Sequence, residues 1–141
     1  MVERLRDATN AHDLDALVDC FAETYRNETP AHPGRGFVGR NQVRANWQQI
    51  FMAVPDLAAT VLNAVTNADE IWSEWEMRGT RPDGSAHLMR GVIIFGVSAG
   101  RASWARFYLE SVDPGTEGAN AAVQRIVGAT STTPGSAQDN R

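Results

Sequence analysis

Glu110 closes a stretch of mostly apolar residues, Trp104-Ala105-Arg106-Phe107-Tyr108-Leu109-Glu110. A carboxyl group held in an apolar cavity has a raised pKa and can take or give a proton near neutrality. The same residue at a strand end can equally be a solvated charge or the partner of an arginine. Arg90 precedes the apolar run Val92-Ile93-Ile94-Phe95. It is a candidate for orienting a carboxylate or stabilising an oxygen that gains charge, with an edge ion pair as the alternative. Arg106 carries the same two readings. Tyr25 and Asn27 are two residues apart, so on a strand they point the same way. Together they can hold a water or a substrate oxygen, or else tie the core edge to the next loop. Trp47, Phe51, Trp72 and Trp75 are more often core than ligand platform, yet several indoles in so small a protein define a cavity wall.

Other chemistries lack their residues. His12, His32 and His87 are isolated, have no metal-ligand spacing and read as solvated, so no metal site is expected. No glycine-rich phosphate loop and no Gly-x-Ser-x-Gly elbow occurs, which argues against nucleotide chemistry and a hydrolase triad. No cofactor is implied.

The elements that must position these groups follow from periodicity. Val2, Leu5 and Ala8 predict a short helix over residues 2–9, and Asp13 caps a second one over 14–21. Cys20 falls in this second helix and reads as a small buried apolar residue. Residues 22–28 predict a strand, and the prolines and glycines of 29–36 a loop. Asn41 is the expected cap of a third helix, with Val43, Trp47, Ile50, Phe51 and Val54 as its apolar stripe and Pro55 as its stop. Four strands follow over 57–65, 70–81, 85–97 and 101–112. They are separated by Asn67-Ala68-Asp69, Pro82-Asp83-Gly84 and Ala99-Gly100 turns. Helices first and a strand meander afterwards predict an α+β fold. Residues 1–113 form the expected domain. Residues 114–141 read as a tail rich in Gly, Ser, Thr and Ala, with a weak helix over 117–127 and disorder from Thr130.

Parity along the last two strands sharpens this. Leu88, Arg90, Val92 and Ile94 share one face, and His87, Met89, Gly91, Ile93 and Phe95 the other. In the final strand Trp104, Arg106, Tyr108 and Glu110 oppose Phe107 and Leu109. Both faces carry large apolar residues, so both must be covered. The helices suffice for one face, and a second copy of the chain is the expected cover for the other.

The chain has 141 residues, a net charge of −4 and one cysteine. That length suits one domain with an adequate core. Without basic excess, nucleic-acid binding is disfavoured. One cysteine excludes an intrachain disulfide and cysteine-based zinc sites. No apolar run approaches the roughly 20 residues of a membrane span. A cytoplasmic protein with no membrane partner is expected.

The layout resembles the nuclear transport factor 2-like superfamily, and within it the SnoaL-like polyketide cyclases and ketosteroid-isomerase relatives. The resemblance rests on Asn10-x-His12-Asp13-x-Asp15-x-Leu17, Phe21-Ala22-Glu23, Pro30, Gly39 and Trp47-x-x-Ile50-Phe51 ending at Pro55-Asp56. It continues with Glu74-Trp75, Gly79 and Gly84, Arg90-Gly91-Val92, and Gly100 before Arg106-x-Tyr108-x-Glu110. It spans about residues 1–113. It implies a cone-shaped, curved antiparallel sheet wrapped around three N-terminal helices, an apolar pocket, and a homodimer through the outer sheet face. It also implies that Glu110 matches the family's acid/base residue. Tyr25-x-Asn27 and Arg90 resemble the limonene-epoxide-hydrolase branch, whose water-activating aspartate falls here on Val92, which takes no proton. The expected function is acid/base isomerisation, cyclisation or hydration of a lipophilic polyketide-like, steroid-like or epoxide substrate. Glu110 would move the proton, Arg90, Tyr25 and Asn27 would orient water or an oxygen, and Trp47, Phe51, Trp75, Val92 and Tyr108 would form the wall of the pocket. The alternative is a non-catalytic ligand-binding or dimeric accessory domain of the same fold.

Overall fold

The computed structural model describes residues 1–128, so the disorder expected from Thr130 lies outside the described residues. Helix α1 (Val2–Asn10) buries Val2, Leu5, Ala8 and Thr9 on one stripe. The Asp13 side chain accepts from the Ala16 amide at 3.0 Å and so caps α2 (Leu14–Asp19), satisfying one of the donors a helix start leaves open. Strand β1 (Phe21–Glu28) follows directly. A short turn of 3₁₀-helix over Pro33–Arg35 and the two-residue β2 (Phe37–Val38) lead into α3 (Arg40–Ala53). The cap of α3 is Gly39 and not Asn41. Gly39 has φ +96°, a conformation that favours glycine over any side-chain-bearing residue. The helix stops before Pro55 as expected.

The remaining strands are β3 (Ala58–Asn67), β4 (Glu70–Thr80), β5 (Ala86–Ser98) and β6 (Arg101–Ser111). They form one six-stranded sheet in the order β2-β1-β6-β5-β4-β3. The meander β3 to β6 is antiparallel throughout, whereas β1 lies parallel to β6. That parallel pair is a departure from the all-antiparallel expectation. It arises because the chain returns to β1 only after the whole meander, a pairing without a local turn signal. A last helix, α4 (Ala119–Ile126), falls within the expected 117–127 segment.

Helices α1 to α3 cover the concave face. Odd-numbered residues of β5 and β6, together with Tyr25, Trp75 and Met77, join Leu5, Leu17 and Val43 in one core. Asn10 ties the end of α1 to β3: its amide donates to the Ala59 carbonyl at 3.0 Å and accepts from the Ala59 amide at 2.7 Å. His12 Nε2 lies 2.8 Å from the Leu57 carbonyl and its ring stacks on Phe51. It is therefore a packed structural residue and not a solvated one. Gly91 bends β5 at φ +152°, and a Cβ there would meet the Tyr108 carbonyl oxygen at 2.1 Å. A glycine at such a place lets the sheet curl around α3. Among the described residues no helix is long and apolar enough to cross a membrane.

Candidate functional site

The curl leaves a cavity of about 290 Å³ between α3 and the concave sheet face. Its volume sits at the lower edge of the roughly 300–1,000 Å³ usual for small-molecule sites. Val43, Trp47 and Ile50 line it from α3, and Met89, Phe107 and Leu109 from the sheet. The polar lining residues are Tyr25, Asn27, Thr29, Arg35, Asn46 and His87. Among the described residues no aspartate or glutamate lines it.

The period of two along β1 sends Tyr25 and Asn27 inward and Arg26 and Glu28 outward, where the latter two pair at 3.1 Å. The Tyr25 hydroxyl donates to Asn27 Oδ1 at 2.9 Å, and Asn27 Nδ2 donates to Thr29 Oγ1 at 3.5 Å. Burial pushes the Tyr25 hydroxyl pKa far up, so the phenol stays protonated and remains a donor. At the other wall His87 is the first inward residue of β5. Arg81, across the β4–β5 turn, brings Nη2 to 3.3 Å from His87 Nδ1. A guanidinium only donates, so Nδ1 accepts and Nε2 carries the proton. Desolvation, and then the Arg81 charge, lower the His87 pKa from its ordinary value. The ring is thus a neutral N–H donor, suited to polarising a carbonyl.

The structure brings Tyr25, Asn27 and Trp47 together at this cavity and places the other expected residues elsewhere. Arg90 and Glu110 do share a side, as parity requires, and stand opposite each other across β5 and β6. That side is the outer one. Glu110 is 48% exposed and pairs with His32 Nε2 at 3.0 Å. Arg90 Nε pairs with Glu76 Oε2 at 2.7 Å, and Arg78 holds the same carboxylate. These two arginines, Arg78 first, hold the Glu76 pKa below the ordinary carboxylate range. Arg106 bonds Glu28 at 3.1 Å and lies over the Trp104 ring. Val92 and Tyr108 face each other on the same outer surface. Trp75 is fully buried in the core, its indole N–H bonded to Ser73 Oγ at 2.8 Å. Phe51 stacks against His12 and not on the cavity. The arrangement of Glu110 and Arg90 with Tyr25 and Asn27 around one substrate is therefore not what the fold assembles.

Thr29, Arg35 and Asn46 are cavity residues with no sequence signal, and His87, expected to be solvated, lines the cavity instead. For His87 the signal was present, because it shares parity with Met89, Ile93 and Phe95. Thr29 and Arg35 sit in the proline-rich loop, where no periodicity speaks. Asn46 neighbours the apolar stripe of α3 and carries no charge to attract notice.

Residues 2–106 match the family model described as the SnoaL-like domain. The chain belongs to the SnoaL-like family. No curated protein sequence matches this SnoaL-like protein. Its fold recurs in solved structures. IdmH from Streptomyces antibioticus, a candidate polyketide cyclase, is 24% identical with TM-score 0.66, over 78% of this chain and 88% of that one. RV0760c from Mycobacterium tuberculosis, solved in complex with estradiol-17beta-hemisuccinate, is 22% identical with TM-score 0.66, over 76% and 88%. A protein from Catenulispora acidiphila with a ketosteroid isomerase-like fold, in complex with trimethylamine, is 17% identical with TM-score 0.63, over 76% and 83%.

Proposed function

We propose that this SnoaL-like protein takes a compact, largely apolar molecule bearing carbonyl groups into the α3–sheet cavity and promotes its cyclisation. The observation that carries this reading is a cavity whose polar side chains, among the described residues, are hydrogen-bond donors or neutral amides, with no carboxylate. Isomerisation or hydration needs a protein base. Here Glu110 is remote, and the basic nitrogen of His87 is turned to Arg81. Ring closure of a poly-carbonyl chain makes a smaller demand, because a carbon between two carbonyls already enolises readily. The enol carbon attacks a second carbonyl carbon, forming the C–C bond. The enol proton passes to the new alkoxide, and no atom is gained or lost. The protein folds the chain within the cavity, and His87 and Asn27 polarise the accepting oxygen. The occurrence of a candidate polyketide cyclase and a steroid-ester complex on this fold agrees with such cargo.

The test uses a phenyl-capped linear triketone, with ring closure followed by absorbance and mass spectrometry. Faster closure than in buffer, lost in His87→Gln, supports the reading. Saturable binding without faster closure supports the second reading, ligand binding without turnover, which the absence of a cavity carboxylate favours.

The outer sheet face supports a homodimer. Val65, Trp72 and Ile94 lie in one cross-strand row beside Val92 and Tyr108. Trp72 and Val65 remain 50% and 58% exposed, although tryptophan and valine ordinarily seek cover. A cytoplasmic setting accords with Cys20, which is buried and unpaired.

A further inference from the structure

The cavity reading above leaves open which atoms a ligand must present, and the hydrogen bonds of β1 answer that. Tyr25 is 1% exposed and its hydroxyl proton is engaged by Asn27 Oδ1. In the structure the amide faces Tyr25 with its oxygen. With Oδ1 turned to Tyr25, Nδ2 is turned to Thr29, whose Oγ1 is 3.5 Å away. An amide nitrogen carries two protons, and Thr29 accepts one of them. The threonine hydroxyl, acting there as acceptor, keeps its own proton to donate. Asn27 and Thr29 both line the cavity, while among the described residues no carboxylate does. An apolar ligand leaves these donors without a partner, and so does a ligand that offers only donors. Each such mismatch is costly in a dry site.

We propose that Asn27 and Thr29 form a donor subsite that selects ligands presenting an acceptor oxygen, a ketone or ester carbonyl, and that Tyr25 is the positioning residue that keeps the amide turned that way. This rests on the reading that the cavity is the ligand site. The selectivity is a property of hydrogen-bond direction. It therefore reverses with the amide, and shape alone cannot produce it.

The test compares acetylnaphthalene with its near-isostere isopropenylnaphthalene, which replaces the carbonyl oxygen by a CH₂ group. Both are titrated by fluorescence into the full chain. The ketone is expected to bind about tenfold more tightly, the equivalent of one satisfied donor in a buried site. In Tyr25→Phe the amide is released, and the ratio of ketone to alkene affinity is expected to fall to about twofold or less, as expected for loss of one oriented bond. A merely structural role for Tyr25 would weaken both probes together. Thr29→Val leaves the Tyr25–Asn27 bond in place, and it too is expected to reduce the preference. It keeps the proposal testable should Tyr25→Phe not fold. Binding of both probes with equal affinity overturns the donor subsite and leaves the cavity reading standing. A preference that survives both substitutions overturns it in the same way. Binding of neither probe overturns the cavity reading and this inference with it.

Discussion

Substituting Glu110 by Gln separates two accounts of this fold by several orders of magnitude. A proton-transferring residue contributes about 10²–10⁴-fold to rate, so a catalytic Glu110 would lose at least about a hundredfold on becoming an amide. The structure assigns it a different part. The Glu110 and His32 side chains are 48% and 41% exposed and 3.0 Å apart. An ion pair so open to water contributes about 0–1 kcal/mol. Glu110→Gln is therefore expected to lower stability by less than about 1 kcal/mol, a Tm change of a few degrees at most for a domain of this size. Probe binding and triketone closure are expected to stay within about twofold of wild type, since no cavity contact is lost. Thermal melts, fluorescence titration of acetylnaphthalene and the ring-closure assay read these three quantities on the same preparation. A hundredfold loss of closure with an unchanged melt would refute the reasoning and return Glu110 to the chemistry.

Three further outcomes follow from the same coordinates. On the proposed homodimer, the wild type is expected to sediment as a dimer and Trp72→Glu, which puts a charge into the exposed apolar row of the outer face, as a monomer; a wild-type monomer overturns the proposed dimer, and a dimer that survives the substitution places the interface elsewhere. Trp75→Ala empties a fully buried site and leaves Ser73 without its indole donor, so denaturant melts should show a loss of about 3–5 kcal/mol. His87 has a folded pKa below its ordinary value of 6.5, so the unfolded chain protonates first as pH falls. Stability should therefore drop as pH falls through 6.5 toward the folded pKa, and His87→Gln should remove that part of the pH dependence; identical wild-type and variant profiles would count against a desolvated ring.

Much of the fold was legible because its signals are local. The stripes of α1 and α3, the cap of Asp13, the stop at Pro55 and the three meander turns each depend on a few neighbouring residues. The parallel β1–β6 pair was not legible, since nothing near Phe21 encodes a partner some eighty residues later. The site was legible in a different measure. Parity correctly put Arg90 and Glu110 on one side and His87, Met89 and Phe107 on inward-sharing sets. Which side was concave depends on where the helices pack, and that is a tertiary fact. The charged residues drew attention because they looked like chemistry beside apolar runs. They stand beside apolar residues because the outer face is itself half apolar. Asn10 and His12, which help carry the family resemblance, tie the end of α1 to β3 and the turn after α1 to Leu57 just before β3 and so mark the fold more than the reaction.

The sheet thus divides its polar groups by sign of function. Outside, Glu28, Glu76 and Glu110 each meet a cationic or titratable partner within 3.1 Å or closer, and the charges neutralise one another in solvent. Inside, where an unpaired carboxylate would be expensive to desolvate, the lining is neutral apart from Arg35. What remains inside are donors whose directions are fixed by partners behind them: Asn27 by Tyr25, His87 by Arg81. Such a lining stabilises negative charge developing on a ligand oxygen without moving a proton itself. A reaction that only needs its chain folded and one carbonyl polarised can proceed there, whereas one that needs a strong base in the cavity would require a carboxylate at an inward position such as Met89 or Leu109. Introducing one there is the substitution that would convert a polarising cavity into a proton-transferring one.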